Sequence, residues 1–212
     1  MNSAAASPGQ RAYRLDSIDM LRGLVIVIMA IDHVRDYVIM NAPLDPVTDP
    51  NVTPAMFFTR WITHYCAPVF AALAGVSAGL MTTRRAPAQL GRLLLTRGLW
   101  LIFVECVIVS TAWTFAPGGI AEIGGLTMIP LQVIWAIGIS MVALAGFQFL
   151  GRSACLWIGV AILAGHNLLD AFWPHAEMLD SKWPLWVALH TQMSLPAPPF
   201  LLLNVYPFPV WI

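Results

Sequence analysis

The sequence predicts an all-α, polytopic transmembrane helix bundle with five full spans, the start of a sixth, and a cytoplasmic N-terminus. Three observations carry that prediction. Of 212 residues, 58% are hydrophobic and only 10% charged, with mean hydropathy +0.73, whereas a soluble domain carries about a quarter charged residues. Apolar stretches near the length needed to cross a bilayer recur along the chain. The basic residues, finally, gather in alternate connections, which sets orientation.

Residues 1–15 are small and polar, without the apolar core of a signal peptide, and read as a cytoplasmic tail. The remainder, 16–212, reads as one transmembrane domain. Helix 1 is expected from Ser17 to Ile39, with Asp16 as N-cap and Asp19 at the third helical position. Four prolines make Asn41–Pro54 a loop. Helix 2 is expected over Ala55–Thr82, with the turn at Arg84, Arg85 and Pro87 after it. Helix 3 is expected over Leu90–Trp113, a glycine-rich loop next, helix 4 over Met128–Leu150 and helix 5 over Cys155–Phe172. Trp173–Pro199, rich in Pro and Trp, reads as an extramembrane loop. The stretch PFLLLNVYPFPVWI then begins a sixth apolar segment that the chain does not finish, so the domain reads as the N-terminal fragment of a larger bundle. Ala71, Gly75 and Gly79 read as a small-residue packing face.

Eight of the eleven basic residues (Arg11, Arg14, Arg22, Arg84, Arg85, Arg92, Arg97 and Arg152) fall on one side of this arrangement, and nine of the eleven acids on the other side or in the outer helix halves. The arginine side is therefore assigned to the cytoplasm. No basic face of the kind that binds nucleic acid exists. Cys66, Cys106 and Cys155 lie in apolar stretches without a CxxC pair, no HExxH pair occurs, and no metal is expected.

Charge at membrane depth costs at least about 2.5 kcal/mol per group and marks candidate function. Helix 1 carries the densest set. Arg22 and His33 are eleven residues apart, which returns to within about 20° of one face with a rise of about 16 Å. Asp36 lies one turn beyond His33, placed to orient its ring, and Asp32 is placed to pair with Arg35. Arg60 and His64 share a face in the outer half of helix 2. Glu105 occupies the outer half of helix 3, and His166 with Asp170 the outer end of helix 5.

Four blocks carry a resemblance: RLDSIDMLRGLVIVIMAIDHVRDY, RWITHYCAPVFAALAGVSAGL, IGGLTMIPLQVIWAIG and YPFPVWI. In this order they resemble the bacterial membrane proteins related to heparan-alpha-glucosaminide N-acetyltransferase, one branch of a superfamily of transmembrane acyltransferases. The resemblance implies an acyl-CoA donor, with acetyl-CoA foremost, bound from the cytoplasm. It also implies an extracytoplasmic glycan or amino-sugar acceptor, and a place in the bacterial cytoplasmic membrane. In the O-acyltransferase branch an Arg and a His separated by ten residues on the first helix form a functional motif, and Arg22 and His33 match it. The lysosomal enzyme's proposed catalytic His lies in the loop after helix 1, whereas this chain has no His between His33 and His64. Direct transfer and an acyl-His intermediate both stay open.

Residue chemistry supplies matching roles. His33 is the candidate general base, with Asp36 or Asp32 as its orienting acid. Arg14, Arg22, Arg84, Arg85 and Arg97 are candidates for the CoA phosphates. Arg60, His64 and Glu105 are candidates for the acceptor or the oxyanion. Three alternatives stand beside the enzyme: a proton-coupled or small-solute transporter, a haem protein ligated by His33 and His64, and a non-catalytic scaffold. No inverted repeat of the transporter kind is visible. Expected partners are lipid, donor and acceptor; the oligomeric state is open, a homo-oligomer included.

Overall fold

The computed structural model describes residues 16–38, 49–166, 168 and 193–206, without the side chains of Asp36, Tyr37, Glu122 and Met193. The chain folds as two compact units, Met1–Leu73 and Ala74–Ile212.

In the first unit, α1 (Asp16–Val38) has its two faces inverted relative to a soluble helix. Met20, Leu24, Val27, Ile31, Val34 and Val38, spaced by three and four, are exposed. The covered face holds Val25 together with Arg22, Asp32, His33 and Arg35. In water each exposed large side chain would forgo about 1.5–3 kcal/mol of burial. The pattern fits an apolar solvent outside and polar groups turned toward protein. Pro54 opens α2 (Pro54–Thr63), whose N-cap Thr53 accepts the Met56 N–H at 3.3 Å.

The expected single helix over Ala55–Thr82 is in fact two, α2 and α3 (Cys66–Met81), broken at His64 and Tyr65. Pro68 explains the break: it has no N–H to give the His64 carbonyl, and its ring crowds that same carbonyl. Helical hydrogen bonds still flank the interruption, from His64 to Arg60 at 2.9 Å and from Val69 to Tyr65 at 3.1 Å.

In the second unit, α4 (Pro87–Phe103) passes into a π-helical segment, Val104–Val109, and then α5 (Ser110–Thr114). It packs along α6 (Val133–Phe147). Their closest approach is glycine on glycine. A Cβ on Gly98 would stand 2.6 Å from the Gly138 carbonyl oxygen, and one on Gly138 2.9 Å from that of Gly98. This is the small-residue packing expected at Gly75 and Gly79, moved to another helix pair. A Cβ on Gly75 or Gly79 meets nothing within 4 Å. Ala78, Leu90, Leu94 and Ala145 form the buried cluster. A 3-10 turn, Gln148–Leu150, follows α6, and α7 covers Arg152–His166.

Three continuous stretches are long and apolar enough to cross a membrane: Pro54–Met81, Pro87–Thr114 and Val133–Leu150. With their exposed apolar surfaces, they make this an integral membrane protein. Among the described residues, α7 is too short and α1 too charged to join them by the same measure, so three of the five expected spans meet it.

The all-α expectation needs a second correction. Thr127–Leu131, all but the first of which were expected in helix 4, form β1, and Phe200–Asn204, assigned to the sixth apolar segment, form β3. With β2 (Met193–Ala197) they make a sheet of order β1-β3-β2, in which β3 runs parallel to β1 and antiparallel to β2. Pro130 forces Ile129 out of the helical region, which starts α6 later than hydropathy alone suggests. Pro130 and Pro196 both sit on edge strands, and the central strand FLLLN has none. The glycine loop is as expected, with Gly119, Gly124 and Gly125 at positive φ and Gly119 set against the backbone of Gly125.

The α4–α6 contact yields a paired prediction. Gly98→Ala should lower the unfolding midpoint in detergent, at a cost of about 1–3 kcal/mol from overpacking. Gly75→Ala, made in open space, should leave the midpoint near wild type.

Candidate functional site

The first unit gathers charge around one carboxylate. Asp32 pairs with Arg35 one turn along α1 at 2.7 Å and with Arg60 of α2 at 3.0 Å. Thr63 donates its hydroxyl to the same carboxylate at 2.6 Å. Arg35 and Thr63 are buried, and Asp32 and Arg60 are mostly covered. Two cations and a hydroxyl around one anion compensate a carboxylate that is mostly covered. The expected Asp32–Arg35 pair is present. The bridge to Arg60 and Thr63 was not anticipated, although Arg60 and Thr63 at i and i+3 on one face were its visible signal.

His33 is half-buried on the covered side of α1, as is Arg22. Arg22 donates to the Leu73 carbonyl at 3.2 Å and pairs with Asp19 at 3.5 Å, while keeping about a third of its side chain exposed. The expectation that Arg22 and His33 share a face thus holds. Asp36 belongs to α1 one turn beyond His33, its side chain outside the described residues. His64 is exposed at the C-cap of α2. Arg14 and Asp170 lie outside the described residues.

Glu105 stands on the second unit. It is fully buried in the π segment, and the Trp135 N–H donates to its Oε2 at 3.2 Å. Trp135 is in the first turn of α6, whose own N-cap, Gln132, makes no side-chain cap bond. Glu105 therefore caps α6 from a neighbouring helix, a carboxylate on the positive end of a helix dipole. In the π turn the Glu105 carbonyl accepts both the backbone N–H of Ser110 and its hydroxyl, the latter at 2.9 Å. A substrate-binding role was expected of Glu105, and its capping contact was not legible from spacing. Arg84 and Arg85 are exposed in the α3–α4 turn, and Arg97 is exposed on α4. Among the described residues, no group of three or more His, Cys, Asp or Glu is placed to hold a metal ion.

Replacing Asp32 by Ala would leave two covered cations without their counter-ion. A stability loss of about 3–5 kcal/mol is expected, read as a fall in the unfolding midpoint of the detergent-solubilised protein. Glu105→Ala, losing one cap, should cost about 0.5–2 kcal/mol.

Residues 14–207 match the family described as heparan-alpha-glucosaminide N-acetyltransferase, catalytic. No curated protein and no solved structure matches the chain.

Proposed function

From the premise that this chain belongs to the heparan-alpha-glucosaminide N-acetyltransferase family, we propose that it is a membrane acyltransferase. It moves an acetyl group from acetyl-CoA, bound at the cytoplasmic end of α1, to an amine or hydroxyl of an extracytoplasmic glycan. The proposal takes five spans, with α1 and α7 added to the three apolar stretches, and an N-terminus inside. The single observation that carries it, beside the family match, is the inverted α1. The Arg22 guanidinium and the His33 imidazole are both half-buried on one continuous helix, eleven residues and about 16 Å apart along its axis. That rise is comparable to an extended pantetheine arm. CoA phosphates at Arg22 and a thioester near His33 are therefore compatible with one bound donor.

In this reading the imidazole of His33 takes the proton of the acceptor amine or hydroxyl as it attacks the thioester carbonyl. The new C–N or C–O bond forms, the C–S bond breaks, and the CoA thiolate leaves with the proton that His33 gives back. Asp36 orients the ring and supports the imidazolium. Asp32, whose carboxylate is taken up by Arg35, Arg60 and Thr63, acts as a positioning residue. It fixes Arg60, whose guanidinium is the candidate stabiliser of the oxyanion. The planar fork of the Arg22 guanidinium suits a phosphate. His64 is a candidate contact for the acceptor. Arg84, Arg85 and Arg97, on the second unit, are left out of this donor site.

His33→Ala should lower acetyl transfer by about 10²–10⁴-fold, the usual worth of a general base, while acetyl-CoA binding by calorimetry stays within a factor of two or so. Arg22→Ala should do the reverse, weakening binding about tenfold or more, as loss of a charge-assisted bond does. Full transfer by His33→Ala would remove the base from this mechanism. Unchanged binding by Arg22→Ala would remove the donor site.

A further inference from the structure

The second unit contains a cavity of about 440 Å³ at the end where α3 finishes, α4 starts, α6 finishes and α7 starts. Its deep wall is Gly75, Ala78, Leu90, Leu94 and Leu144, without a polar side chain among them. Its rim carries Thr82, Thr83, Gln148 and Arg152. From Thr82 to Gly75 is seven residues of helix, so the cavity runs about 10 Å inward from its rim. The hydrocarbon of one leaflet is about 15 Å deep.

The rim is basic. The Arg152 guanidinium donates to the Thr82 hydroxyl at 3.1 Å, which fixes it at the mouth. Among the described residues no carboxylate pairs with it. Arg84 and Arg85 are exposed in the turn that follows Thr82 and Thr83, and the first turn of α7 adds the positive end of its dipole. Phe149 and Leu150, exposed beside this rim, are apolar groups at the same level.

We propose that this cavity is a binding site for an anionic phospholipid. The headgroup phosphate sits on Arg152 and the Thr82–Arg85 turn, and one acyl chain fills the space over Gly75 and Gly79. Charge complementarity selects the headgroup, since a basic rim attracts an anionic lipid in preference to a zwitterionic one. The deep wall selects the chain. A CoA arm would bring amides against Leu90, Leu94 and Leu144, where nothing could receive their hydrogen bonds, whereas an acyl chain needs none. The glycines leave the space: both line the cavity, and a Cβ on either would meet nothing within 4 Å. The site is independent of the acyl-transfer reading.

The test uses the full chain, purified, delipidated and placed in detergent. Dioleoylphosphatidylglycerol and dioleoylphosphatidylcholine are each titrated, with retention read by native mass spectrometry and the unfolding midpoint in parallel. Wild type should retain phosphatidylglycerol in preference, with a raised midpoint. Arg152→Gln should weaken that binding by about fivefold, one interfacial charge, and leave phosphatidylcholine unchanged. Gly79→Leu should remove phosphatidylglycerol retention from a protein that still folds, because its side chain takes the acyl chain's place. Equal retention of the two lipids by wild type, or wild-type binding by a folded Gly79→Leu, would overturn the proposal. So would displacement of the lipid by acetyl-CoA, which would assign the cavity to the donor. If Arg152→Gln fails to fold, Gly79→Leu and the lipid comparison decide alone.

Discussion

The link between α1 and α2 in the first unit is built on the Asp32 carboxylate. A covered carboxylate is tolerable only when its charge is returned by partners, and Arg35, Arg60 and Thr63 do so from two helices at once. The ion pairs therefore link α1 to α2 as well as neutralising charge. The exposed apolar side chains of α1, Met20 and Val34 among them, do not supply that link. In such a protein the covered side of a helix is its polar side, and candidate chemistry lies where a soluble protein would keep its core.

The second unit is held by different means. Glycine contact at Gly98 and Gly138 brings α4 and α6 together. Glu105 then supplies from α4's continuation the cap that α6 lacks. The π turn and the cap occur at the same residue. A widened turn alters which side chains face α6, and the one brought to it is a carboxylate able to answer orphan N–H groups.

Much of this was legible in the sequence, and the misses have identifiable causes. Helices were visible as apolar runs, and the polar face of α1 as the eleven-residue return from Arg22 to His33. Hydropathy could not register Pro68, which splits one apolar run into α2 and α3, or Pro130, which turns the start of another into β1. The strand FLLLN is as apolar as a span, and only its partners distinguish the two. Gly75 and Gly98 are alike in sequence, yet one faces a cavity and the other a carbonyl, a difference set by neighbours far along the chain. Asp32 with Arg35 followed from spacing within one helix, while Arg60 and Glu105 reach across to other segments, and local spacing does not encode such contacts.

The parallel pairing of β1 with β3 imposes an order of manufacture. Residues 132–199, α6 and α7 among them, separate the two strands. At ribosomal rates of about 5–20 residues per second, β1 emerges several seconds before its partner exists. Throughout that interval its peptide groups must be served by water or by the insertion machinery, since hydrocarbon would leave them unmet. The sheet thus cannot close until α6 and α7 have both been made.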